Sequence, residues 1–196
     1  MKIIGITGPT GAGKSLLSKY LDQRQIPVID ADCVYHALLI PPSPCLDALR
    51  VAFGDGILCQ DGTLNRPALS EIVFGDEEKL RLLNQTVLGM VLVKIRERIG
   101  ELERQGERIV AVDAPTLIES GFDRECAVVV SVLAPADLRL QRIMERDHLS
   151  EERARLRIQG QKSDDFYRSH SHYVLINDGD RSCLESELQR LMTDLL

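Results

Sequence analysis

Residues 8 to 15 read Gly-Pro-Thr-Gly-Ala-Gly-Lys-Ser and complete the pattern G-x-x-x-x-G-K-[ST]. The apolar run Ile3-Ile4-Gly5-Ile6 precedes them, and residues 16 to 21 follow with helical spacing. Strand, glycine-rich loop and helix in this order predict a phosphate-binding loop, because backbone N–H groups turn inward around phosphate oxygens and the helix N-terminus faces the same charge. The context favours a nucleotide site over an ordinary glycine-rich turn.

Each residue type in this loop has a chemical reason. We expect Lys14 to reach the β- and γ-phosphates and the Ser15 hydroxyl to bind magnesium. Gly11 and Gly13 are expected to be required, because a side chain at either position would block the phosphate or forbid the backbone angles.

The composition limits the classes of protein to consider. The 196 residues suffice for one α/β domain with an insertion. A net charge of −6 argues against general nucleic-acid binding. The five cysteines are scattered without C-x-x-C spacing, so we expect reduced thiols that act as small apolar fillers rather than disulfides or a zinc site. Without a signal peptide or a membrane-spanning run, the chain is expected to be cytoplasmic.

Short β-rich runs alternate with helical stretches along the chain. The runs cover residues 2–7, 27–30, 109–113, 127–133 and 173–176. This alternation predicts a parallel sheet with helices on both faces. The third and fourth runs are almost continuously apolar and should lie centrally, because such strands are buried on both sides.

Helical segments fill the two long intervals between these strands. Roughly eighty residues separate the second run from the third, which predicts an inserted helical subdomain. Residues 40–44 should break a helix that starts after Asp32, and further helices are expected over 66–73 and 77–103. A helical region from 136 to about 170, interrupted near residues 148–150, holds eight Lys or Arg against six Asp or Glu between residues 138 and 168. This basic segment is a candidate lid over phosphates.

Two acidic residues close the second β-run. If strand geometry persists, the side chains of Asp30 and Asp32 point to the same side, at the strand end that opens onto a ligand crevice. A carboxylate there can accept the proton of an attacking hydroxyl or support magnesium. The alternative is that Asp32 caps a helix beginning at Cys33. Asp113, which ends the third run, is a weaker candidate for magnesium support.

Three arginines recur on one predicted helix face, at positions 139, 142 and 146. Their guanidinium groups suit the negative charge of a transferring phosphoryl group. The alternative is a solvated face paired with Glu145 and Asp147.

Taken together, these pieces resemble the dephospho-coenzyme A kinase family over nearly the whole chain. The resemblance rests on residues 6–15, on Val28-Ile29-Asp30-Ala31-Asp32, on Asp61 to Arg66 (Asp-Gly-Thr-Leu-Asn-Arg), on residues 114–121 and on the ending Tyr173 to Gly179. The second and third stretches are much more specific than the phosphate loop.

The resemblance implies a single domain over residues 1–196: a P-loop NTPase-type three-layer α/β sandwich with a parallel central sheet. A helical acceptor-binding insertion would span about 60–106 and a helical lid about 137–170. The implied reaction is ATP- and Mg²⁺-dependent phosphorylation of the ribose 3′-hydroxyl of dephospho-coenzyme A. The implied partner is that acceptor alone, without nucleic acid or membrane, in a monomer or weak homo-oligomer.

The resemblance also assigns roles to residues. Asp32 would be the general base, while Lys14 and Arg142 would stabilise the transferring phosphoryl group. Ser15 would bind magnesium, and Asn177 would lie near the adenine. The implied nucleotide-binding residues are Gly8, Gly11, Ala12, Gly13, Lys14, Ser15, Leu16, Arg142 and Asn177.

The chain departs from the family pattern at three places. Leu88-Gly89 replaces the usual His-Pro pair, which could make the long helix continuous and remove a polar contact to the acceptor. Residues 162–167 are more acidic and aromatic than usual, and Gly8-Pro9-Thr10 replaces a Gly-Gly-Ile-like opening. Because the loop glycines, Lys14, Ser15, Asp32 and Arg142 remain, we expect full activity.

Two other functions compete with this one. The first is another small-metabolite or nucleotide kinase, whose loop and arginines would look alike. The second is a non-catalytic nucleotide switch, since Gln161-Lys162-Ser163-Asp164 faintly resembles the guanine-reading Asn-Lys-x-Asp motif. That segment is predicted to lie in a helical stretch rather than after a strand, and its first residue differs.

Overall fold

The computed structural model describes residues 1–73, 75–179 and 181–195, without the side chains of 181–183 and 194–195. The strands are β1 (Lys2–Thr7), β2 (Val28–Asp30), β3 (Ile109–Asp113), β4 (Val128–Leu133) and β5 (Tyr173–Ile176). The helices are α1 (Lys14–Asp22), α2 (Ala31–Leu38), α3 (Pro44–Phe53), α4 (Arg66–Val73), α5 (Glu77–Arg104), α6 (Ala136–Asp147), α7 (Glu151–Gln159), α8 (Asp164–Ser169) and α9 (Arg181–Leu195).

Five parallel strands form one sheet in the order β2-β3-β1-β4-β5. In the middle of the sheet Ile4 of β1 pairs with Ala111 of β3 on one side and with Val128 of β4 on the other. The two apolar strands β3 and β4 therefore flank β1, as expected for strands covered on both faces. The carboxyl ends of β1, β3 and β4 meet at one edge, where the phosphate loop leaves β1.

Helices cover both faces of this sheet. On one face Leu17 and Leu21 of α1 join Leu184 and Leu188 of α9 in a core cluster with alternate residues of β1 and β4. On the other face Tyr167 of α8 packs with Leu133 and Ile118. The predicted three-layer α/β architecture is confirmed.

Residue contacts divide the chain into two compact units, Met1–Val28 with Gly106–Leu196 and Ile29–Gln105. In the second unit α5 packs against α2, α3 and α4. It continues through Leu88-Gly89 without a break, because no proline interrupts its hydrogen bonds. The organisation of residues 1–196 as one domain stays a prediction.

Two features of the helices differ from the sequence prediction. Residues 40–44 do end α2, but Pro44 also begins α3, where Ser43 caps the helix and the N–H that proline lacks is not needed. The basic region breaks twice rather than once. After the expected break before α7, a second break falls between Gln159 and Asp164, where Ser163 caps α8.

The cysteines whose side chains the structure describes are free. Cys45 is buried, but Cys33 and Cys59 are exposed, so the expectation that they fill the core is wrong for these two. Burial raises the pKa of Cys126 to about 12. The side chain of Cys183 lies outside the described part of the chain.

Within residues 1–73, 75–179 and 181–195, none of the helices combines the length and the apolar character that crossing a bilayer requires.

Replacing Gly5 by alanine should destabilise the sheet. A Cβ at this position of β1 would lie 2.6 Å from Leu117 Cδ2 and 2.8 Å from Cys126 Sγ. We expect Gly5→Ala to lower the free energy of unfolding, measured by urea denaturation, by about 1–3 kcal/mol. Gly89→Ala is the control. Gly89 has open space around it within α5, so alanine there should stabilise by up to about 1 kcal/mol. A Gly5→Ala protein as stable as wild type would contradict the packing argument.

Candidate active site

The phosphate loop connects β1 to α1 through glycines in the left-handed region. The φ angles of Gly8, Gly11 and Gly13 are 134°, 80° and 96°. A Cβ on Gly13 would also run into the side-chain amide of Asn177. These angles agree with the expectation that positions 11 and 13 need glycine.

Every carbonyl group from residue 8 to residue 13 accepts a hydrogen bond. The donors are Lys14 Nζ to Gly8 (2.9 Å), the Ala12 N–H to Pro9 (3.2 Å), Arg139 Nε to Thr10 (3.1 Å), Arg142 Nη1 to Gly11 (3.2 Å), Asn177 Nδ2 to Ala12 (2.8 Å) and the Leu16 N–H to Gly13 (2.9 Å). The N–H and C=O of one peptide group point in opposite directions. The bonds to the carbonyls of residues 10, 12 and 13 therefore direct the N–H groups of Gly11, Gly13 and Lys14 to the opposite side. The loop is thereby prepared to bind an anion.

Arg139 is buried, with 5% of its surface exposed, and it binds the loop from α6. Burial lowers the pKa of its guanidinium group, and the nearby Asp164 carboxylate partly opposes this effect from 3.7 Å. Its Nη2 donates to Gln161 Oε1 at 2.7 Å. In this structure the guanidinium group holds the Thr10 carbonyl and the Gln161 side chain.

Arg142 and Asn177 form a second clamp one helical turn further along α6. Arg142 Nη2 donates to Asn177 Oδ1 at 3.1 Å, while its Nη1 reaches the carbonyls of Gly11 and Ala12. Asn177, which follows β5, is 4% exposed. Its backbone N–H donates to the Leu133 carbonyl at 2.7 Å, which ties the clamp to β4.

For Arg146 the alternative prediction, a solvated side chain paired with a neighbouring carboxylate, agrees with the structure. It is exposed and donates two hydrogen bonds to Asp147, and Arg157 of α7 binds the same carboxylate. These arginines hold the pKa of Asp147 below its usual value. The three predicted guanidinium groups are therefore divided, two to the phosphate loop and one to the junction between α6 and α7.

Oxygen ligands suitable for magnesium stand beside the loop. Ser15, in the first turn of α1, is exposed, and Asp113 at the end of β3 is buried. Asp113 accepts a hydrogen bond of 2.7 Å from Ser18 Oγ, a contact that no pattern in the sequence predicts. Magnesium in phosphoryl-transfer sites takes one or two protein ligands together with waters and phosphates, so a hydroxyl and a nearby carboxylate fit this ion.

In the second unit, Asp30 and Asp32 have different environments. Asp30, not Asp32, is the N-cap of α2, and its Oδ1 accepts the Cys33 N–H at 3.0 Å. The prediction that both side chains point to the same side required strand geometry through Asp32. That requirement is not met, because the helix begins at Ala31. Asp32 is exposed in the first turn of α2, so its carboxylate is not used as the cap.

A cavity of about 400 Å³ opens beside Asn177 in the first unit. Apolar walls come from Leu16 of α1 and from Leu184 and Leu188 of α9. The other lining residues are Lys19, Tyr20, Gln23, Arg142, Asn177, Gly179 and Glu185. Apolar walls together with several polar groups suit a small organic ligand such as a heterocycle.

Gln161 is a site residue whose role the sequence did not predict. It lies in the second break, between α7 and α8, rather than in a helical stretch, and its Oε1 accepts the Thr10 N–H at 3.2 Å in addition to the Arg139 contact. Its resemblance to a guanine-reading residue therefore has no support from the geometry. The one signal in the sequence was its place in that four-residue stretch.

Comparisons with known proteins agree on one family. The family model for dephospho-CoA kinase matches residues 2–182. The dephospho-CoA kinase of Corynebacterium glutamicum is 35% identical over 193 residues, which is 98% of this chain and 96% of that protein. The crystal structure of TT1252 from Thermus thermophilus superimposes with a TM-score of 0.84 at 30% identity, covering 100% of this chain and 98% of that chain. The dephospho-CoA kinase from Campylobacter jejuni shares the fold, with a TM-score of 0.73 at 24% identity over 100% of this chain and 98% of that chain.

Gly13 and Asn177 should be energetically coupled. We expect Gly13→Ala to destabilise the protein, because the added Cβ strains the backbone and contacts the Asn177 amide. In Gly13→Ala/Asn177→Ala the contact is absent, so the double-mutant cycle should show a coupling of about 0.5–3 kcal/mol in the free energy of unfolding. Strict additivity of the two single changes would contradict the described contact.

Proposed function

Because the chain belongs to the dephospho-CoA kinase family, a family of kinases, we propose that it transfers the γ-phosphoryl group of ATP to the ribose 3′-hydroxyl of dephospho-CoA. The observation that carries the proposal is the phosphate loop, in which every carbonyl from residue 8 to residue 13 accepts a hydrogen bond from a protein donor. Such a loop presents preorganised N–H dipoles, and these stabilise charge that develops on a phosphoryl group without reorganising during the reaction.

Charged groups around the loop would complete the triphosphate site. Lys14 Nζ, now on the Gly8 carbonyl, would exchange that partner for phosphate oxygens. Arg142 adds positive charge next to Gly11 and Ala12. Magnesium would be held by Ser15, with Asp113 supporting it, and when bound it neutralises charge on the transferring group.

Asp32 is the proposed general base. Its carboxylate is exposed at the start of α2, while the neighbouring Asp30 is used for capping. A carboxylate within hydrogen-bond reach of the acceptor hydroxyl would take up its proton as the new O–P bond forms. The basic segment over about 137–170 would act as a lid that excludes water, and the insertion over about 60–106 would receive the acceptor.

The cavity beside Asn177 is the proposed adenine site. Its apolar residues Leu16, Leu184 and Leu188 suit the faces of the ring, and Gly179 lets the backbone approach its edge. Asn177 itself would act by holding the loop, since its amide is bound to Ala12 and Arg142. A cytoplasmic location, a monomeric or weakly associated state, and the absence of nucleic-acid and membrane partners also stay predictions.

Asp32→Asn tests the catalytic base. We expect turnover to fall by about 10²-fold or more, the usual scale for a general base, while ATP affinity is kept. A coupled assay of ADP release measures turnover, and calorimetric titration measures ATP binding. Asp30→Asn is the matched control, because asparagine caps helices as well as aspartate does and should leave turnover near wild type. Equal losses in both variants, or none in Asp32→Asn, would reject this role for Asp32.

The acceptor separates the proposed function from its alternatives. With ATP and magnesium, we expect ADP release to require dephospho-CoA, and mass spectrometry should identify coenzyme A as the product. Nucleoside monophosphates and shikimate should give no product above the background rate. Transfer to one of these acceptors instead would indicate another small-metabolite kinase, and nucleotide binding that strongly prefers GTP, without transfer, would indicate a switch.

A further inference from the structure

Gln161 connects the phosphate loop to the break between α7 and α8. Its single oxygen, Oε1, accepts from the Thr10 N–H at 3.2 Å and from Arg139 Nη2 at 2.7 Å. Arg139 Nε in turn donates to the Thr10 carbonyl at 3.1 Å. The backbone N–H and C=O of Thr10, in the middle of the loop, are therefore bound by two side chains that contact each other.

This arrangement controls a part of the loop that its own backbone does not. Pro9 has no N–H, and its carbonyl is bound within the loop by the Ala12 N–H. The backbone N–H and C=O of Thr10, in contrast, have their partners outside the loop, on Gln161 and Arg139. Replacing Gln161 by an apolar residue would remove the acceptor of the Thr10 N–H. It would also remove a neutral acceptor that lies 2.7 Å from Arg139 Nη2.

The environment of Arg139 explains why the acceptor matters. The guanidinium group is buried, and the nearest described carboxylate oxygen, on Asp164, stays at 3.7 Å. A buried cation that loses a hydrogen-bond partner must find another, and the other oxygens described near it are the Thr10 carbonyl and the Asp164 carboxylate. Loss of the Gln161 oxygen should therefore move Arg139, and with it the Thr10 carbonyl.

We propose that Gln161 is a positioning residue for the nucleotide. Through its contacts with Thr10 and Arg139, it holds the phosphate loop in a fixed position relative to the α7–α8 junction. This rests on the proposed kinase function. Since α7 and α8 lie in the segment predicted to act as the lid, the same contact makes nucleotide affinity depend on where that segment sits. Gln161 acts on the phosphates through other residues, without touching the reacting atoms.

The experiment compares steady-state kinetics of Gln161→Leu, Gln161→Glu and the control Gln159→Leu. Gln159 is the exposed last residue of α7, of the same type and two positions away. For Gln161→Leu we expect the KM for ATP and the Kd for ADP to rise by about tenfold, with the KM for dephospho-CoA unchanged, because the two lost hydrogen bonds act on the phosphates only through Thr10 and Arg139. Gln161→Glu keeps an acceptor oxygen and should recover most of the affinity. Gln159→Leu should match wild type.

Each outcome decides between the proposal and a purely structural role. A residue needed only for stability would lower the amount of active enzyme, and so kcat, without changing the KM for ATP. A KM for ATP within twofold of wild type in Gln161→Leu, or no recovery in Gln161→Glu, would overturn the proposal. If Gln161→Leu does not fold, Gln161→Asn tests the same contact, because its shorter side chain withdraws the oxygen from Thr10 and should raise the same KM. A wild-type protein that makes no coenzyme A would instead reject the proposed function.

Discussion

The carbonyl oxygens of the phosphate loop impose the constraint on which the rest of the first unit depends. A loop that offers its N–H groups to an anion must point its C=O groups the other way, into protein rather than water, and each of these needs a donor. Here the donors come from three directions: Lys14 from α1, Arg139 and Arg142 from α6, and Asn177 from the end of β5. Helix α6 and the end of β5 are thus tied to the loop, and β4, which precedes α6 in the chain, lies between β1 and β5 in the sheet.

The same constraint explains why the sequence alone could not assign separate roles to the three arginines of α6. Spacing alone placed residues 139, 142 and 146 on one face, and phosphate chemistry gave them one common purpose. The structure divides them by depth: Arg139 is buried, Arg142 is half-buried, and Arg146 is exposed next to a carboxylate. Sequence periodicity predicts which face of a helix a residue lies on, but not how deeply it is buried along that face.

Most of the sheet and the phosphate loop could be predicted from the sequence. Apolar strands, and the glycines and the lysine of the loop, are recognised from neighbouring residues alone. The strand limits at β1, β3 and β5 were predicted as the structure has them. The start of α3 at Pro44 and the capping of α2 by Asp30 were missed, since a proline both ends one helix and begins another, and two neighbouring aspartates are equally good caps. The contacts of Asn177 and Gln161 with the loop join residues more than a hundred positions apart, which no local pattern reports.

Helix α1, which follows the loop, places some of its side chains in the core and others in the wall of the cavity. Leu17 and Leu21 are fully covered in the core, whereas Leu16, Lys19 and Gln23 line the cavity and remain exposed. Substitutions on the cavity side can therefore alter what the cavity accepts with little effect on how the core packs. The lining of the cavity and the stability of the scaffold can therefore be changed separately, by substitutions at different positions of one helix.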